Sequence, residues 1–167
     1  MSLKYQVPDD KKVRVIVDSD AACEADDPFA IAHALLCDKF IVKAIFAEHF
    51  NCEGSMKQSF EEIQRVVKAM KKEVPVLMGE IGKLSEKGTG EISEASSFLI
   101  REALREDDKS LYVLCIGAIT NIASAIQACP DIVPRMTVVW IGGQSHEHST
   151  GEVREFNAGN DIEAANL

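Results

Sequence analysis

The chain has 167 residues, of which 46% are apolar and 27% charged, with a formal net charge of −9. That length supports one domain with a real core, spanning residues 1–167. The acidity argues against a nucleic-acid or anionic-membrane surface, since both need basic patches. A neutral ligand, or one held through a cation, fits better. No long apolar run is present, and Met1-Ser2-Leu3-Lys4-Tyr5 leads into a polar stretch, so neither a membrane span nor a signal peptide is expected. The five cysteines (Cys23, Cys37, Cys52, Cys115 and Cys129) are odd in number and lack metal-type spacing. They suit free thiols in a reducing cytoplasm.

In chain order, the apolar run at 13–17 reads as a buried parallel strand. Asp18, Asp20, Asp26 and Asp27 follow within ten residues, and 28–36 reads as a helix. Strand, acidic loop and helix place the carboxylates at the carboxyl end of a strand, where sites in open α/β sheets sit. Four clustered carboxylates repel one another unless something positive occupies the loop. A hard divalent cation with oxygen ligands suits them, and Ca²⁺ accepts many carboxylates in irregular geometry. Helix capping accounts for Asp26 or Asp27 but not for Asp18 and Asp20. Cys23 lies among these charges, which should raise its thiol pKa and keep it inert.

The alternation continues. Residues 41–46 read as a second strand, and 55–70 as a helix with Met56, Phe60, Ile63, Val66, Val67 and Met70 at helical spacing. A short third strand is expected at 74–79, ended by Gly79, then a loop at 80–92 and a helix at 93–104 capped by Ser93. A strand at 111–116, a helix at 119–128 and a strand at 136–141 complete the pattern. The fold class that follows is α/β, an open, mainly parallel sheet with helices on both faces.

The segments Asp18 to Asp27, Ile116 to Ala123, Val138 to Gly143, Glu155-Phe156-Asn157 and Asp161-Ile162-Glu163-Ala164-Ala165 occur in a fixed order. Together they resemble the nucleoside hydrolase family, the inosine-uridine-preferring type, in a divergent branch. Its members open with a strand and an Asp-x-Asp-Pro-Gly-x-Asp-Asp loop. Here the Pro-Gly is gone and two residues are added, which leaves the carboxylates but puts substrate preference in doubt. The later segments are similar to the family's Gly-x-Leu-Thr-Asn-Ile-Ala, Gly-Gly, Glu-Phe-Asn and Asp-Pro-Glu-Ala-Ala. The resemblance implies a Rossmann-like core and hydrolysis of the N-glycosidic bond of a ribonucleoside, giving ribose and free base, with Ca²⁺ as cofactor.

By the same resemblance Asp20 is general base and metal ligand, Asp27 a second ligand and Asp18 a support of the metal site. The backbone carbonyl of Thr120 is a further ligand, although Thr120 or Asn121 could equally cap the next helix. Asp26 would bond a ribose hydroxyl, and Glu155 and Asn157 would hold sugar hydroxyls. The family has an Asn just after the second strand, and here Glu48, His49 and Asn51 compete for that substrate-binding role, with Asn51 favoured. A ribose contact made by Asn in the family falls near Ser149. His146 and His148 are candidate leaving-group acids or base contacts, while His33 on a helix reads as structural.

Family members are about twice as long, and a His-Asp pair in their second half completes the site. The resemblance therefore implies that this chain alone binds calcium weakly and hydrolyses little, and that its opened edge favours a homo-oligomer or association with a C-terminal part. Two alternatives stand beside it. One is a non-catalytic calcium- or ribose-binding remnant. The other is a haloacid-dehalogenase-like phosphatase using Mg²⁺, suggested by Asp18-x-Asp20 after a strand, though Ala21-Ala22 does not suit that nucleophile loop.

Overall fold

In a computed structural model, which describes residues 6–86, 92–143 and 155–167, the first apolar run forms β1 (Val13–Ser19), the centre of a parallel sheet. Val15 and Val17 point to one face and Ile16 to the other, as a period of two requires, and all three are buried. Burial on both faces is why this strand reads as continuously apolar. The exception is Arg14, buried by its bonds to the carboxylate and carbonyl of Glu102, both at 3.0 Å.

The remaining elements alternate as expected. They are α1 (Asp26–Leu36), β2 (Phe40–Ala47), α2 (Ser55–Ala69), β3 (Val76–Met78), α3 (Glu94–Leu104), β4 (Leu111–Cys115), α4 (Thr120–Ala128) and β5 (Thr137–Trp140). Two short helices, α5 (Phe156–Asn160) and α6 (Ile162–Ala165), follow. The sheet order is β3-β2-β1-β4-β5, all pairs parallel. Ile31 of α1 and Ile63 and Val67 of α2 pack with Val15, Val17 and Ile45 on one face. Leu99 of α3 and Ile122 of α4 pack with Ile16, Phe46 and Val113 on the other.

Several boundaries differ from the sequence reading. β1 runs through Ser19, so Asp18 belongs to the strand rather than to the loop. α1 starts at Asp26, two residues before Pro28, so Asp26 and Asp27 form its first turn, where the macrodipole favours acids. Pro28 falls inside that turn, where its missing N–H costs nothing. β3 keeps three of the six expected residues, and the expected loop at 80–92 contains a 3-10 turn at Leu84–Glu86. Ser93 caps α3 as expected, its side chain accepting from Ser96 N. α4 has no side-chain cap, because Thr120 and Asn121 turn their side chains inward instead. All five cysteines are free, and His33 is exposed. His146, His148 and Ser149 lie outside the described residues.

β1 is followed by β2 on one side, while β4 lies on its other side. The chain direction of the crossovers reverses between β1 and β4, which opens a crevice at their carboxyl ends. Asp18 sits at that point, level with Phe46 of β2 and Cys115 of β4.

Candidate active site

The crevice holds a cavity of about 170 Å³. The β1–α1 segment supplies Asp20, Cys23, Glu24, Asp26 and Asp27 to its wall. Ile116 follows β4, and Glu155, Phe156 and Asn157 come from the start of α5. Five of these side chains are carboxylates, and no Lys, Arg or His stands among the described lining residues.

Asp20 and Asp27 are 3% and 5% exposed. Burial first, then the neighbouring charge of Asp27, pushes the Asp20 carboxyl up to about 7. Asp27 is pushed up to about 6 by burial, against the bond it accepts from Ser19 Oγ at 2.5 Å. Cys23 is pushed up to about 11 by burial and then by Asp20, so its thiol stays protonated at neutral pH. Gly117 faces Asp20 closely. A Cβ on residue 117 would lie 2.8 Å from Asp20 Oδ1, so only glycine lets this carboxylate keep its place.

Behind the cavity lies a buried polar layer. Asp18 Oδ1 accepts from Asn121 Nδ2 at 2.8 Å, while Oδ2 is buried with no hydrogen-bond donor. Burial pushes Asp18 up to about 7, with the charge of Asp20 adding to the shift. Glu48, beside it, accepts from His49 N and Asn121 N, both at 3.0 Å. Its carboxyl is raised well above the usual range by burial and then by Asp18. Asn121 also accepts from Glu80 N at 2.7 Å. A Cβ on Gly79 would come within 2.4 Å of Asn121 Oδ1, which is why the third strand ends in glycine.

Thr120 is fully buried and belongs to this layer. Its Oγ1 donates to Asp161 Oδ2 at 2.7 Å and meets His49 Nε2 at 2.8 Å. His49 Nδ1 accepts from Asn51 N at 3.2 Å, so the Nε2 carries the proton and donates to Thr120. Asp161 also accepts from Leu84 N and Ala164 N and caps α6.

The structure thus brings Asp20, Asp26, Asp27, Glu155 and Asn157 to one cavity. Asp18 and Thr120 stand behind it, and Asn51 stands outside it, exposed and at φ +58°. Glu155 is also a structural anchor. Its two oxygens accept from Asn157 N, Ala158 N and Gly143 N at 2.8–2.9 Å, capping α5 and fixing the turn after β5. Asn157 Nδ2 donates to the carbonyls of Ile116 and Ile141, tying the same turn to β4. From sequence, Glu48 and His49 read as candidates for one substrate-binding position and Asn121 as a cap. The signal for their buried role was present: each is a polar residue directly after an apolar run or helix start, where a side chain is drawn into the crevice.

The donors at the cavity are carboxylate oxygens without a basic partner, which suits a hard divalent cation in kind. In number they fall short. Among the described residues no three His, Cys, Asp or Glu side chains converge on one cation position.

An open parallel sheet with an acidic crevice at its switch point defines the class of α/β proteins whose ligands bind beyond the carboxyl ends of the strands. The family model described as inosine-uridine preferring nucleoside hydrolase matches residues 15–167, and the chain belongs to that family. Solved structures agree in fold. An inosine-guanosine nucleoside hydrolase superposes with a TM-score of 0.73 at 24% identity, over 92% of this chain and 54% of its own. A plant nucleoside hydrolase, PpNRh1, gives 0.76 at 19%, over 92% and 55%. A purine-preferring ribonucleoside hydrolase from Gardnerella vaginalis gives 0.67 at 23%, over 91% and 56%. The chain therefore spans a little over half the length of these three solved structures.

Proposed function

We propose that this chain carries the cation- and ribose-binding half of a site for Ca²⁺-dependent hydrolysis of the N-glycosidic bond of a ribonucleoside. The observation that carries this reading is the pair of buried carboxylates, Asp20 and Asp27, in a cavity shared with Glu155 and Asn157. Asp20 and Asp27 would hold the cation, which when bound lowers the pKa of a coordinated water. Asp20, raised toward neutrality in its buried setting, would take the proton of the attacking water. Asp26, Glu155 and Asn157 would orient sugar hydroxyls, and the acidic wall would stabilise an oxocarbenium-like transition state. Asp18 and Thr120 would support the site from behind, through Asn121 and Asp161. The phosphatase alternative needs Asp18 as an accessible nucleophile, whereas Asp18 is fully buried and bonded to Asn121.

Calorimetric titration of Ca²⁺, beside ribose release from inosine and uridine, tests the reading. Weak Ca²⁺ binding that disappears in Asp27→Asn is expected. Calcium binding that survives in an Asp20→Asn/Asp27→Asn variant would sink the assignment. Binding of calcium and ribose with no turnover would favour the non-catalytic remnant. Gly117→Ala should weaken Ca²⁺ binding about tenfold, because its methyl group must displace the Asp20 carboxylate; one such factor corresponds to about 1.4 kcal/mol.

We also propose that the chain associates through its β5 edge, with a second copy or with the remainder of a family fold. Val138 and Val139 of β5 and Ile141 just after it are 36%, 48% and 66% exposed, and among the described residues no strand pairs with the outer side of β5. Such an edge is a template for pairing. Val139→Lys together with Ile141→Lys should shift the chain to a monomer in sedimentation velocity; an unchanged distribution would place the contact elsewhere. No helix among the described residues is long and apolar enough to cross a membrane, and the free thiols support a reducing, cytoplasmic setting.

A further inference from the structure

We propose that the cavity prefers ribosyl donors whose base carries a positive charge, such as a ribosylpyridinium, over neutral and phosphorylated ones; this rests on the nucleoside hydrolase reading of the site. The wall carries five carboxylates, Asp20, Glu24, Asp26, Asp27 and Glu155, and no basic side chain among the described lining residues. One divalent cation offsets two of those charges, so the occupied site keeps an excess of negative charge. Asp20 gives the second observation. It is 3% exposed and lines the cavity, and the one donor to its carboxylate among the described residues is its own backbone N–H. A buried carboxylate with so few donors costs stability unless a positive ligand faces it. Phe156 gives a third. Its side chain is 52% exposed and lines the same cavity, and an aromatic face attracts a planar cation.

The chemistry of such a donor suits these residues. Water oxygen bonds to the anomeric carbon as the C1′–N bond breaks. The electron pair of that bond returns to the ring nitrogen, so the base leaves neutral and needs no acid from the protein. The proton lost by water passes to Asp20 and then to solvent. Positive charge enters on the substrate and leaves as that proton, so the step balances. A 5′-phosphate, by contrast, would bring two more negative charges to an acidic wall.

The test compares binding of ribosylnicotinamide with its 1,4-dihydro form, which has the same size and no charge, at fixed Ca²⁺, by calorimetry or ligand-observed NMR on the full chain. The pyridinium form should bind at least tenfold more tightly than the dihydro form, and its 5′-monophosphate more weakly than either. The preference should shrink two- to threefold in Glu24→Gln and decline as salt is raised, since Glu24 is exposed and screened. Equal binding of the two forms, with inosine or ribose still bound, would overturn the charge preference and leave the nucleoside reading standing. A preference unchanged in Glu24→Gln and in high salt would also overturn it, because the wall would not be its cause. Failure of ribose, inosine and both nicotinamide forms alike to bind would overturn the nucleoside reading itself, and this inference with it.

Discussion

Asn121→Leu should destabilise the chain by about 4 kcal/mol, since each buried polar group left without its partner costs roughly 1–3 kcal/mol and a charged one more. The residue sits at the start of α4, fully buried, and its amide joins three elements. Nδ2 donates to Asp18 of β1 at 2.8 Å and to the Ala47 carbonyl of β2 at 3.2 Å, and Oδ1 accepts from Glu80 N beyond β3 at 2.7 Å. Leucine matches the volume and supplies none of these bonds. Asp18 would lose the amide donor to its Oδ1, and Glu80 N its acceptor. Against the usual stability of a domain, about 5–15 kcal/mol, that loss is large. Urea unfolding would read it as a shift in midpoint. Ser59→Ala is the control, because Ser59 Oγ is buried with no partner and its removal should be nearly neutral. An Asn121→Leu variant within 1 kcal/mol of the parent would show that the polar layer behind the crevice is dispensable.

Asp20→Asn should do the opposite to stability and, on the proposed reading, abolish calcium binding. In the absence of divalent cations the Asp20 carboxyl is raised from 3.8 to about 7, chiefly by burial and by Asp27. A folded-state pKa above the unfolded value means that the folded chain holds more protons between those two values. Its contribution to stability is therefore best below about pH 4 and is lost progressively as pH rises toward 7. Above that the ionised carboxylate sits buried beside the charge of Asp27. Asparagine removes the charge, so the variant should match the parent near pH 4 and exceed it by about 3 kcal/mol at pH 8, at 1.36 kcal/mol per pKa unit with allowance for relaxation. Urea melts in EDTA across that range would show the divergence. Adding Ca²⁺ at pH 8 should stabilise the parent and leave the variant unmoved. On the proposed reading, whatever ribose release the parent shows should be lost in the variant, because Asp20 is the proposed general base. A stability difference that does not change with pH would mean that Asp20 is not strained by its own charge. The trade of stability for a charged, desolvated cluster is what a binding site without its ligand should show.

The sequence by itself determined the fold class and the placement of the acidic loop. Apolar runs of four to six residues alternating with helical periodicity leave few alternatives to a parallel α/β sheet, because each face must be buried by a helix. Position at the end of β1 then forces Asp18 and Asp20 toward the crevice. The five-segment match extended that reading to the family. What only the tertiary structure decided is which polar residues meet. Asp18 and Thr120 lie behind the cavity because β1 continues through Ser19 and because α4 begins at Thr120 with its first side chains turned inward. Asn51 lies outside it because a left-handed turn carries the chain away after His49. Asn121 bonds Asp18, 103 positions away in sequence, and Glu48 accepts from Asn121, 73 positions away. Local patterning reports the face a residue occupies, since that follows from backbone periodicity. It carries no record of which distant strand end comes alongside, and the partners of buried carboxylates are set by that juxtaposition.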